Sequence, residues 1–416
     1  MQTESQAISA AEAMQLEDRF GAHNYHPLPV VIARGDGPFL YDTEGRQYFD
    51  FLSAYSAANQ GHCHPHIIDA FVAQARTLTL TSRAMYNNRL GEAEKFICGF
   101  FGYDKTLMMN SGAEANETAL KLARKWAYKV KGTAEDKAVV LCAENNFHGR
   151  TLAMVSASSD PDARNHYGPF LPGWQQIPFN NLAALEQALQ ADPNICAYLF
   201  EPIQGEAGIL IPDEGYLAGV RALCTKYNVL MMADEIQSGA GRAGRMLACD
   251  HENVRPDVLI LGKALSGGTM PVSAVLASDE VMLTIRPGEH GSTYGGNPLA
   301  SAVAIASLEV LRDEDLAGNS ERMGVIFRER MQELQTRLPF IAAVRGRGLM
   351  NAVVIQPMSN GKTAWDVCIA LMENGLLAKP THGDTIRFSP PLVITEEQML
   401  NACDIIEDTL SSFITA

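Results

Sequence analysis

Two apolar runs end in residues able to do chemistry. VLMMADE (229–235) closes on the carboxylates Asp234 and Glu235, and VLILGKAL carries Lys263 just past its apolar stretch. Ligands of open parallel sheets bind beyond the carboxyl ends of the strands, so both positions face the place a ligand would occupy. A lysine leaving a buried strand is costly to desolvate as a cation, which favours the neutral amine. A neutral amine is what condensation with a carbonyl needs. An acid at one strand end and an amine at another suit one cofactor. Asp234 would hold a pyridine nitrogen protonated, and Lys263 would form a Schiff base with an aldehyde. The same pair is also compatible with a capping aspartate and a lysine that snorkels to the surface.

Other stretches add groups of the same kind. Ser111-Gly112-Ala113 opens the helical run SGAEANETALKLARKW. Small residues at a helix start let free N–H groups approach an anion such as a phosphate. Ser111 followed by Glu114 is equally the signature of a plain helix cap. In NFHGRT, Phe147 can stack on a flat ring and Arg150 can clamp a carboxylate. Arg387 in DTIRFSPPL is a second candidate clamp, and Ser292 and Thr293 in HGSTYGGNP suit hydrogen bonds to phosphate. Each also fits ordinary packing or a surface ion pair. Gly239, Gly241 and Gly244 match a dinucleotide fingerprint literally, but RMLACDHENVRPD after them does not open a helix. His62-Cys63-His64 is not followed by a second ligand cluster at metal spacing, so no metal is expected.

These residues need a frame. Ala138 to Ala143, Ile195 to Phe200, Val229 to Ala233 and Val258 to Leu261 are apolar on both faces, as parallel strands covered by helices must be. Helical spacing between them (Ala115, Ala119, Leu122, Ala123, Trp126, Val130; then Leu217, Val220, Leu223, Cys224) predicts an α/β fold with a mostly parallel sheet. Past about residue 310 the pattern changes. One long charged helix over Leu311 to Leu338, the run VRGRGLMNAVVI, a helix near Ala364 to Asn374 and a last helix from Glu396 predict a smaller α+β domain. The expected division is 1–55 as an N-terminal segment joining the small domain, 56–310 as the large domain, and 311–416 as the C-terminal small domain.

Composition narrows the function classes. With 33 Lys+Arg against 48 Asp+Glu, the net charge of −15 gives no basic field to draw nucleic acid. Apolar residues at 47% of 416 allow a large core. The eight cysteines are scattered without a CxxC pair, which predicts a reduced chain rather than a disulfide framework. The acidic start MQTESQAISAAEAMQLEDRF lacks the features of a signal or transit peptide, and no apolar run reaches the ~18 residues of a membrane span. A cytoplasmic protein with no membrane partner is expected, a processed organellar form being the other possibility.

Together FDFLSAYSAANQGHCHP, SGAEANETALKLARKW, EPIQGEAG, ADEIQ, LGKALSGG, EHGSTYGGNP and LLAKPTHGD resemble the class III, fold-type I pyridoxal-phosphate-dependent aminotransferases. The resemblance runs from GAHNYHPLPV (21–30) to IRFSPPLVI (386–394) and is nearest to members that act on L-ornithine. It implies pyridoxal 5'-phosphate as cofactor and ping-pong transfer of the δ-amino group of L-ornithine to 2-oxoglutarate. The products would be glutamate and glutamate 5-semialdehyde, which cyclises to pyrroline-5-carboxylate. By the same resemblance Lys263 is the Schiff-base lysine and general base, Asp234 the partner of the pyridine nitrogen, and Gln237 the contact to the phenolic oxygen. Phe147 and Ile236 lie on the two ring faces, and Ser111, Gly112, Ala113 and Ser292 belong to the phosphate site. Thr293 reaches the phosphate of the neighbouring subunit, which implies a homodimer with shared sites. Arg150 clamps the distal carboxylate, Arg387 takes the α-carboxylate of glutamate, and Glu206 pairs with Arg387 while ornithine is bound. Tyr25 and Tyr55 shape the ornithine pocket, Tyr25 favouring ornithine over its N-acetyl relative. His148 stands where some relatives have Trp. Competing readings are a sister transaminase for acetylornithine or 4-aminobutyrate, a mutase or decarboxylase on the same fold, and a non-catalytic binder.

Overall fold

The structure is a computed structural model that describes residues 8–358 and 361–414. The first seven residues of the stretch searched for a leader lie outside the described residues.

The central sheet has seven strands in the order Lys105–Met109, Ser273–Ala277, Val258–Leu261, Leu230–Asp234, Ile195–Phe200, Val139–Ala143 and Trp174–Ile177. Ser273–Ala277 runs antiparallel to both its neighbours, and the other pairings are parallel. Every residue of Ile195–Phe200, Leu230–Asp234 and Val258–Leu261 is buried. That is why these segments carry no polar face: the helix Gly112–Trp126 packs into one core, and Leu182–Ala191 and Tyr216–Lys226 into the core on the other side. Each fully buried Leu, Ile or Val contributes about 1.5–3 kcal/mol. This offsets the desolvation of the polar groups brought to the strand ends.

Two four-stranded sheets flank this layer. Ile341–Arg347, Met350–Ile355, Thr385–Phe388 and Lys379–Thr381 form an antiparallel sheet. Ile32–Asp36, Phe39–Asp42 and Gln47–Asp50 form a meander that Leu376–Leu377 extends by pairing in parallel with Phe49 and Asp50. The N-terminal strands therefore share a sheet with the C-terminal part of the chain.

The single helix expected over Leu311 to Leu338 is two helices, Pro298–Asp313 and Leu316–Arg337. The break is Asp315, with left-handed backbone at φ 47° and a side chain that accepts the Gly318 N–H. Aspartate tolerates that conformation and caps a helix at the same time. A further helix, Ala10–Phe20, is capped by Ser9 and buries none of its residues. His62 and His64 turn to different carboxylates, Asp50 at 2.7 Å and Glu314 at 2.9 Å, so the HCH run does not converge on a common point. All eight cysteines are free. No described helix is long and apolar enough to cross a membrane.

The glycine-rich run 239–244 is a turn, as its sequence context requires. At its centre Arg242 is completely buried. Its guanidinium donates to Asn59 Oδ1 (2.6 and 3.2 Å), to Leu349 O (2.9 Å) and to Pro390 O (2.6 Å). Burial pushes its pKa down to about 9. One side chain thus ties the turn after the central sheet to one end of the C-terminal antiparallel sheet, where Leu349 leads into Met350–Ile355 and Pro390 follows Thr385–Phe388.

Candidate active site

Beyond the carboxyl ends of the central strands lies a cavity of about 190 Å³. Asp234 ends one strand there, and Lys263 follows the next after Gly262. Lys263 adopts left-handed backbone, φ 44°, a strained state for a side-chain-bearing residue. Its side chain borders the cavity. Burial lowers the Lys263 pKa, while Glu206, Asp234 and Glu201 oppose the shift by attraction. The amine has no hydrogen-bond partner among the described residues.

Asp234 is fixed on three sides. Its Oδ2 accepts from His148 Nδ1 (2.7 Å) and Asn116 Nδ2 (2.8 Å), and its Oδ1 accepts from the Ile236 N–H (3.1 Å). Three donors on one carboxylate fix its orientation. Phe147, Ile236, Gln237, Gly112 and Ala113 line the same cavity. A second cavity, shared through Gly112 and Lys263, is bordered by Ser111, Ser266 and Thr269.

Ser111 is the helix cap that its sequence allows. Its hydroxyl accepts the Glu114 N–H, and Glu114 takes the Ser111 N–H in return, a complete capping box. That leaves the amides of Gly112 and Ala113 as the free donors at the helix start. A Cβ on Gly112 would stand 3.0 Å from Ile236 Cδ1, so the small residue keeps this approach open. Ser292 Oγ accepts from Asn110 Nδ2 at 2.9 Å beside the same helix start.

Beside this cavity, Arg387 Nη1 donates to Glu206 Oε1 at 2.5 Å, and Gln237 Nε2 donates to the same oxygen at 3.1 Å. Burial pushes the Glu206 pKa up, but the Arg387 charge and these two hydrogen bonds outweigh it and hold it below the usual carboxylate range. The Arg387 guanidinium lies 5.0 Å from the Tyr55 ring centroid. Its Nε is buried without an acceptor. Burial raises the Tyr55 pKa, and Tyr25 is near enough to add to the shift.

Not every expected residue converges. Arg150 is exposed, its guanidinium 5.3 Å from the Phe147 ring centroid, and Tyr25 is 71% exposed. Thr293 is exposed and lines neither cavity of its own chain. Two residues not anticipated from the sequence are central. Asn116 bridges Asp234, the Gly112 carbonyl and the His148 carbonyl. Glu201 ends the strand Ile195–Phe200, accepts the Phe147 and Gly205 N–H groups, and is pushed up to about 7 by burial, against the pull of His148. The rule that singled out Asp234, a carboxylate closing an apolar run, applies equally to ICAYLFE.

Residues 20–410 match the model of the aminotransferase class-III family. The chain is a class-III aminotransferase. Aminotransferases of this class depend on pyridoxal 5'-phosphate. This one is 58% identical over 411 residues to the mitochondrial ornithine aminotransferase of Rattus norvegicus, covering 99% of this chain and 93% of the relative. A solved Toxoplasma gondii ornithine aminotransferase, described with PLP at partial occupancy in its active site, is 47% identical with a TM-score of 0.95 over 97% of this chain and 94% of that one. A solved acetylornithine aminotransferase of Elizabethkingia anophelis is 53% identical with a TM-score of 0.89, covering 98% of this chain and 100% of that one.

The class-III site has the fittings for this cofactor. Gln237 Oε1 and His148 Nε2 are buried without partners in residues that line the cavity, Lys263 offers a shielded amine, and the two free helix amides suit a phosphate. Phe147 and Ile236 both line the cavity and offer apolar surface to a flat ring.

Proposed function

We propose that this chain transfers the δ-amino group of L-ornithine to 2-oxoglutarate, giving glutamate 5-semialdehyde and glutamate. The observation that carries the reading is the Glu206–Arg387 pair beside Lys263. Ornithine presents an uncharged carbon arm next to its reacting amine. An unpaired arginine there would be left desolvated, so a carboxylate that neutralises Arg387 suits ornithine. A dicarboxylate such as 2-oxoglutarate or glutamate needs the arginine itself. A pair that opens for one substrate and closes for the other serves both halves of a ping-pong transfer.

The roles follow from chemistry. Pyridoxal phosphate, when bound, supplies the carbonyl that receives the amino group and a ring that draws off electrons. Lys263 Nζ anchors it and, as a neutral amine, takes the proton from the substrate carbon bearing the δ-amine and returns it on the other side of the exchange. Asp234 meets the ring nitrogen, while Asn116 and His148 keep Asp234 aimed. Phe147 and Ile236 sandwich the ring, and Gln237 meets its phenolic oxygen. Ser111, Gly112, Ala113 and Ser292 form the phosphate site. Arg150 takes the distal carboxylate, with Tyr25 and Tyr55 shaping the arm's channel. Thr293, exposed on its own chain, completes the site of a second copy in a homodimer.

The 53% identity to an acetylornithine enzyme makes that donor the specific rival. A half-reaction screen separates them. The yellow enzyme is mixed with L-ornithine, N-acetylornithine or 4-aminobutyrate while the visible band is followed and pyrroline-5-carboxylate is trapped. Bleaching with trapped product from ornithine alone is expected. Bleaching by N-acetylornithine alone would move the donor to the sister enzyme, and Lys263→Ala should remove the lysine-bound band in either case.

A further inference from the structure

Glu206 sits on a closed loop that is held from two directions. Gln204 and Leu210 exchange backbone hydrogen bonds at 3.0 and 2.9 Å and so pin the two ends of the loop together. From the central sheet, Glu201 accepts the Gly205 N–H at 3.3 Å, and Gln204 Nε2 donates to Glu144 O at 2.7 Å. A Cβ on Gly205 would overlap the Gln237 side-chain oxygen, so loop and amide are in contact. From the opposite side comes the turn between Lys379–Thr381 and Thr385–Phe388, the strand that carries Arg387. Thr381 Oγ1 donates to the Glu206 carbonyl at 3.2 Å and His382 Nε2 donates to the same oxygen at 2.8 Å. His382 does so from left-handed backbone at φ 49°, a conformation side-chain-bearing residues adopt at a cost.

We propose that Thr381 and His382 are specificity-determining positioning residues, which fix the Glu206 peptide so that the gate over Arg387 opens by rotation of the Glu206 side chain alone. The inference rests on the reading of Glu206–Arg387 as a donor gate. A carbonyl oxygen has two lone pairs, and the two donors occupy both. The 206–207 peptide plane is thereby locked while the carboxylate stays free to turn. Neither residue lines the cavities around Lys263 or Arg387, so any influence on donor choice passes through Glu206. Without the clamp the plane can tilt, the carboxylate loses its register with Arg387, and the freed guanidinium favours dicarboxylates.

The test uses the holoenzyme and its His382→Ala, Thr381→Val and Glu206→Ala variants, with His382→Asn as the conservative control. Asparagine keeps a side-chain N–H and tolerates left-handed backbone. Two quantities are read: the ratio of kcat/KM for L-ornithine to that for L-glutamate in the half-reactions, and the Kd of glutarate, an unreactive dicarboxylate, by calorimetry. We expect His382→Ala and Thr381→Val each to lower the ratio about 5- to 10-fold and to tighten glutarate, the scale of one lost hydrogen bond. His382→Asn should stay within roughly twofold of the parent. In a Glu206→Ala background, His382→Ala should change neither quantity further. An unchanged ratio and Kd in both clamp variants, with Glu206→Ala shifting them, overturns the clamp and leaves the gate standing. The same change with and without Glu206 also overturns it. A Glu206→Ala variant that shifts nothing overturns the gate itself. If His382→Ala does not fold, Thr381→Val carries the test.

Discussion

His148 Nδ1 lies 2.7 Å from Asp234 Oδ2, with both side chains buried. A carboxylate oxygen only accepts, so His148 carries its proton on Nδ1, and Nε2 is left buried without a partner. This defines a job for the residue: it supplies one of three donors that aim Asp234.

Replacing His148 by Ala should therefore loosen the cofactor without unfolding the chain. Losing one donor to a buried carboxylate costs about 1–2 kcal/mol, or roughly 10-fold in affinity. Titrating the apoenzyme with pyridoxal phosphate and following the visible band reads this directly. Affinity equal to the parent's would remove His148 from the support of Asp234.

Glu201 predicts a pH dependence of stability. Its folded pKa of about 7 stands above the ordinary carboxylate value of 4.5, so between those values the folded chain binds a proton that the unfolded chain does not. The sign follows: this group's contribution is fully present below about pH 4.5 and is lost as pH rises through 7. Glu201→Gln should flatten that part of the profile and raise stability at pH 8 relative to the parent. Melting temperatures of both forms from pH 5 to 8 check it, and parallel profiles would exclude Glu201 as the source.

Arg242 predicts a mechanical defect. Lysine cannot reach Asn59, Leu349 and Pro390 at once, so Arg242→Lys strands buried acceptors at a cost of roughly 3 kcal/mol. The variant should show a lower urea midpoint. A midpoint unchanged from the parent's would mean that the guanidinium is not what joins these segments.

What the sequence disclosed, and what it withheld, follows from the range of the forces involved. Buried parallel strands must be apolar on both faces, so Ile195–Phe200 and Val258–Leu261 are visible in the letters with their ends in place. A polar residue that closes such a run is visible for the same reason, which is how Asp234 and Lys263 stand out. The break at Asp315 is hidden, because helical periodicity continues through it and only backbone conformation reveals the stop. Asn116 looks like a polar interruption of an apolar helix face, and its meaning appears only when Asp234, far along the chain, is brought against it. The contact of His382 with Glu206 spans 176 positions, and no local pattern encodes a carbonyl acceptor. Tyr25 stands out only through likeness to relatives, since its surroundings on this chain are largely solvent.

The closed loop at Gln204 and Leu210 has a kinetic consequence. If its backbone is stationary, exchanging one substrate for the other requires a few side-chain torsions and no travel of a lid. Rotations of partly exposed side chains take picoseconds to nanoseconds, whereas enzymes commonly turn over about 1–1,000 times per second. Glu206 is about a quarter exposed. On that premise the alternation between donor and acceptor adds no loop travel to the cycle, only the exchange of the hydrogen bonds that Arg387 and Gln237 give Glu206.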